Sequence, residues 1–122
     1  MKESTKWTLH IGAGVLILVL LGLHMLTMHM QTVLELFGLG TENVTGFEAV
    51  AQRSKMVSYM VIYILLLGAA LYHGLYGLRN IALEVFPGQG ARKAIGGLFT
   101  VVGLAFFALG TYAAIAAFTM EV

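Results

Sequence analysis

The stretch from Lys55 to Asn80, KMVSYMVIYILLLGAALYHGLYGLRN, decides the fold. No Asp, Glu, Lys or Arg lies between Lys55 and Arg79. A helix over this stretch would extend ~39 Å, more than the ~30 Å hydrocarbon core of a bilayer. Two similar blocks flank it, one from about Trp7 to about Leu36 and one from about Arg92 to Met120. The polar run Gly40-Thr41-Glu42-Asn43 ends the first, and Gly46-Phe47-Glu48-Ala49-Val50 can form a short interfacial turn before the second. Phe86-Pro87-Gly88-Gln89-Gly90 separates the second from the third, because proline lacks an amide donor and glycine frees the backbone. The expectation is an all-α integral membrane protein. A single domain over residues 1–122 would carry three transmembrane helices at approximately 7–36, 55–80 and 92–120.

Composition excludes most other classes. The chain is 59% hydrophobic and only 11% charged, which a soluble globule of 122 residues would not be. The connecting stretches leave no room for a soluble domain, so any chemistry belongs inside the membrane or at a partner's surface. The absence of cysteine excludes disulfides, thiolate metal sites and iron–sulfur clusters in this chain. The first block reads as a retained helix and not a signal peptide. Its polar lead is short, His24 interrupts it, His29 follows, and no small-x-small cleavage site appears.

With three spans, the N-terminus and the loop between the second and third spans share one side. Lys2, Lys6, Arg79, Arg92 and Lys93 stand there, against Arg53 and Lys55 on the other, which puts the N-terminus in the cytoplasm. Glu35, Glu42, Glu48 and Glu121 gather on the outer side. In the third span, Gly96, Gly103 and Gly110 recur at seven-residue spacing and Ala117 continues the series. Small residues permit close backbone approach between membrane helices, so this series predicts a packing seam.

Histidines carry the functional signal. An ionisable side chain at membrane depth is costly unless it is paired, which makes His24 and His73 candidates for function. Neutral imidazole is a common axial ligand of haem iron, although a lone membrane histidine also serves as an interhelical hydrogen-bond donor. On the face of His73 lie Ala69, Ala70, Tyr76 and Gly77, with Gly74 adjacent. This nearly bare shelf would let a flat macrocycle approach the helix. Arg79, ~9 Å further along the axis, is placed to meet haem propionates or the polar head of a quinone, or else to snorkel to lipid headgroups. The neighbours of His24 are Leu20, Leu21, Thr27 and Met28, with no such shelf. His24 lies ~24 Å from the cytoplasmic end and His73 ~10 Å, so the two do not easily clamp one iron. Either His73 takes its second ligand from a partner subunit, or each histidine serves a separate haem. His29 reads as an interfacial or hydrogen-bonding histidine, and His10, near the surface, as a poor ligand.

The segment His73-Gly74-Leu75-Tyr76-Gly77-Leu78-Arg79-Asn80-Ile81, followed by Glu84, resembles the membrane-anchor cytochrome b subunits of succinate dehydrogenase and fumarate reductase. The chain is most similar to the small hydrophobic three-helix anchor of these enzymes in length, span number and the polar loop through Phe47, Ser54 and Lys55. The resemblance implies a subunit without catalytic residues, belonging to an enzyme complex that transfers electrons between succinate and quinone. His73 would be an axial ligand of haem b in a helix bundle completed by a second anchor subunit. His24 would serve a second, outer haem, so two haems are expected over one. Quinone would bind near the cytoplasmic face beside the partner anchor and the iron–sulfur subunit, with a flavoprotein beyond. The family's tyrosine after the acidic residue is Val85 here, which leaves Tyr76, Arg79 or another subunit to provide the quinone's polar partner. The implied setting is the cell's inner (cytoplasmic) membrane, with lipid and these subunits as partners and no nucleic acid. A non-redox scaffold or transporter subunit is the alternative reading.

Overall fold

The computed structural model describes residues 1–40 and 43–121. Thr41 and Glu42, part of the polar run expected to end the first span, lie outside the described residues. Four helices follow in order: α1 Glu3–Leu36, α2 Phe47–Ser54, α3 Val57–Val85 and α4 Gln89–Thr119. The architecture is all-helical among the described residues, and α1, α3 and α4 are each long and apolar enough to cross a membrane. The short α2 occupies the region read as an interfacial turn.

Local chemistry sets the helix ends. Gly38, at φ +68°, closes α1: its amide donates to the Glu35 carbonyl at 3.0 Å, and that of Leu39 donates to Leu34 at 2.8 Å. This paired capping leaves fewer orphan carbonyls and needs a left-handed residue, which glycine supplies without steric cost. α3 continues five residues past Asn80, because Ile81 to Val85 contain no breaker. It stops when Phe86, preceding Pro87, is forced out of the helical region (φ −119°, ψ 76°). Gly88 at φ +137° then turns the chain into α4.

α3 stands in the middle. It packs on α1 along one face and on α4 along another, while α1 and α4 do not pack on each other. Gly96, Gly103 and Gly110 all lie against α3. A Cβ on Gly103 would come within 2.9 Å of Leu75, Gly110 is closed by Leu67, and a Cβ on Gly96 would lie 3.8 Å from Arg79 Nε. The seven-residue series is therefore a packing seam. Among the described residues, Ala69 and Tyr76 are the buried ones, whereas most large apolar side chains of α1 and α4 point outward. In lipid there is no hydrophobic penalty for that arrangement, and close packing with interhelical hydrogen bonds provides the cohesion.

Candidate functional site

α1 and α3 cross antiparallel in a register that sets His10 beside Gly77 and Gly14 beside His73. Each imidazole lies over a glycine of the other helix. A Cβ on Gly14 would sit 3.0 Å from His73 Cε1 and 3.2 Å from its Nδ1, and one on Gly77 would sit 3.3 Å from His10 Cε1. Without these two glycines the rings could not reach the opposing backbone. The same register, carried further along both helices, brings His24 edge-on to Tyr63, with ring centroids 5.5 Å apart.

His73 Nδ1 is 3.0 Å from the carbonyl oxygen of His10. A carbonyl only accepts, so Nδ1 carries a proton in this contact, and in the neutral imidazole Nε2 then keeps the lone pair. Among the described residues Nε2 has no hydrogen-bond partner. The His10 ring lies flat on that of His73, with centroids 4.1 Å apart and planes inclined by 5°. The Nδ1 atoms of His10 and His24 are both buried without a partner among the described residues. Such atoms are uncommon inside proteins and call for an explanation. His29 is satisfied within its own helix, its Nδ1 standing 2.9 Å from the Met25 carbonyl.

The shelf beside His73 is only partly bare. Gly77 is covered by His10 and Ala69 is buried, whereas Ala70 and Gly74 remain exposed, with nothing within 4 Å of a Cβ placed on Gly74. The open flank of the histidine is thus on the Ala70–Gly74 side. His24, facing Tyr63, and His73 lie at levels of α3 ten residues apart, ~15 Å along the axis, so they form separate sites.

Arg79 and Tyr76 belong to a different face. Arg79 lies a third of a turn round α3 from His73, and lines an open groove with Tyr72, Leu75 and Tyr76 on α3 and Phe99 and Gly103 on α4. The groove's volume is about 510 Å³, in the range of small-molecule sites. Tyr76 separates it from the histidines: its ring is 5.3 Å from that of His10, and the Arg79 guanidinium stands 5.8 Å from its centroid. At the mouth, Glu3 meets Lys6 Nζ at 2.9 Å, Arg79 at 4.0 Å and the Tyr76 hydroxyl at 3.5 Å. Tyr72 donates to the Lys6 carbonyl at 3.0 Å, tying the start of α1 to α3.

Reading the sequence by neighbours on one helix missed His10. Its signal is present as a repeated spacing, His10-x-x-x-Gly14 on the first span and His73-x-x-x-Gly77 on the second. Two such units on antiparallel helices interlock, each histidine filling the other's glycine. That pairing becomes visible only once the register between the spans is known.

No family model matches the chain, and no solved structure does. The chain is 27% identical over 110 residues to the succinate dehydrogenase hydrophobic membrane anchor subunit of Archaeoglobus fulgidus, covering 90% of this chain and 86% of the relative. Three membrane-spanning helices together with an anchor-subunit relative make this a multi-pass membrane protein. The relative bears out the resemblance to succinate dehydrogenase membrane-anchor subunits that the segment around His73 carries.

Proposed function

We propose that the chain is a membrane-anchor cytochrome b subunit of a succinate:quinone oxidoreductase, with its N-terminus cytoplasmic in the inner membrane. The observation that carries this reading is a relative named as a succinate dehydrogenase anchor, combined with an α3 imidazole whose Nδ1 is held and whose Nε2 is free. The donor set fits haem better than a bare ion. Among the described residues no three His, Cys, Asp or Glu converge. A haem brings its own equatorial nitrogens and asks only one imidazole of each helix. His73 would hold haem b, with the second axial ligand from a companion anchor, and His24 would serve a second haem. The bound haem supplies a one-electron carrier in the dry interior of the membrane. Gly74 and Ala70 leave the flank of His73 open, and the carbonyl of His10 holds the imidazole against α1.

Tyr76 and Arg79 are the chain's contribution to the quinone site. The groove they line is apolar along its length, and polar where Lys6, Arg79 and the two tyrosine hydroxyls meet. This suits a quinone head with an apolar tail. Succinate oxidation and electron relay would fall to flavoprotein and iron–sulfur partners, since this chain has no cysteine to hold an iron–sulfur cluster. A histidine that merely ties two helices of a non-redox scaffold would make the same bond to His10. Reduced-minus-oxidised spectra of the purified complex decide between the two. His73→Ala should lose or severely perturb one b-type absorption and His24→Ala only the other; unchanged haem content in the His73 variant would reject the ligand role.

A further inference from the structure

We propose that His10 is the positioning residue of His73, fixing both the tautomer and the plane of the imidazole that α3 presents. The inference rests on the reading of His73 as an iron ligand, and assigns to α1 a part in the site that residue spacing on α3 does not show. Three observations converge on it. The His10 carbonyl, 3.0 Å from Nδ1, accepts a hydrogen bond from it and so keeps on Nδ1 the proton that would otherwise be free to sit on Nε2. A hydrogen bond on the remote nitrogen orients a metal-binding imidazole and raises its basicity. The His10 ring, parallel to within 5° at 4.1 Å, blocks one face of the His73 ring, so the imidazole cannot rotate about its bond to Cβ without striking it.

The third observation is reciprocity. Gly14 and Gly77 are the positions at which a Cβ would meet a histidine, so the local backbone of both helices accommodates this one stack. Gly12, Gly22 and Gly74 meet nothing within 4 Å. Tyr76 backs the His10 ring on the groove side, leaving it little freedom to leave. The pair is held by α1 and α3 alone. The chain therefore presents a ligand of set orientation before any partner subunit arrives.

The orientation of an axial imidazole sets the splitting of the iron d orbitals, so the test is the electron paramagnetic resonance spectrum of the ferric haem in the intact complex. His10→Ala should shift and broaden the largest g value while haem content falls less than about twofold, and His10→Phe, which keeps a flat ring, should restore the parent spectrum. A His10→Ala spectrum superimposable on the parent overturns the proposal. If His10→Ala does not assemble, nitrogen-15 spectra of the haem-free full chain in bilayers read the pair directly. His73 is expected as the Nδ1–H tautomer, and finding the Nε2–H tautomer overturns the proposal equally. Retention in His73→Ala of every low-spin signal of the parent complex marks failure of the ligand reading, separate from either result on His10.

Discussion

Gly14→Ala is the most discriminating single change. An added Cβ would stand 3.0 Å from His73 Cε1 and 3.2 Å from Nδ1. Carbon atoms prefer ~3.5–4.0 Å, so the imidazole must retreat from α1 by ~0.5 Å. The acceptor of its hydrogen bond, the His10 carbonyl, sits on the same helix, so the retreat carries the 3.0 Å contact toward ~3.5 Å, beyond the usual N–H···O range. Overpacking of this kind costs ~1–3 kcal/mol, and the weakened interhelical bond falls within that figure at ~0.6 kcal/mol. Against it, alanine gains ~0.5–1 kcal/mol over glycine inside a helix. Gly12→Ala is the internal control: it lies on the same helix, one half-turn away, with nothing within 4 Å of its Cβ. Gly14→Ala should therefore be less stable than Gly12→Ala by ~1–3 kcal/mol. Unfolding in mixed detergent micelles, followed through the fluorescence of Trp7, the chain's single tryptophan, measures the difference. Equal stability of the two variants refutes the proposed contact between α1 and His73.

Three further outcomes follow from the geometry. Gly103→Val should loosen α3 from α4 by ~1–3 kcal/mol, because even a bare Cβ would meet Leu75 at 2.9 Å and a branched side chain leaves that leucine no retreat; disulfide trapping between cysteines introduced on the two helices reports the separation. Tyr72→Phe removes the hydroxyl that ties α3 to the Lys6 carbonyl and should cost ~0.5–1.5 kcal/mol, with faster amide exchange at the start of α1 as its signature. Gly38→Ala puts a Cβ on a residue at φ +68° and should destabilise the end of α1 by ~1–2 kcal/mol, read as a lowered midpoint of thermal unfolding in detergent.

How much was legible beforehand differs between elements. α3 was plain because apolar residues dominate from Met56 to Leu78, interrupted only by groups that a membrane helix tolerates. Its end was expected at about Asn80, whereas the helix runs on to Val85. The backbone has no reason to leave the helix until Pro87 constrains Phe86. The glycine seam on α4 was readable because one helix alone determines which residues share its face. Arg79 was expected, from its distance along the axis, to meet haem propionates or the polar head of a quinone, or to snorkel to headgroups; a third of a turn from His73, it lines the groove beside α4.

From the sequence alone follow the membrane architecture, three spans and their breakers, and the singling out of His73. Each depends on the chain's composition or on neighbours within one helix, and such information is local. Only the tertiary structure revealed that His10 stacks on His73, that His24 meets Tyr63 at another level, and that Tyr76 divides the histidine pair from the groove. Those relations depend on the register and rotation of one helix against another. In lipid they are set by where glycine lets two backbones and a ring come together, a property of pairs of helices that neither span carries by itself.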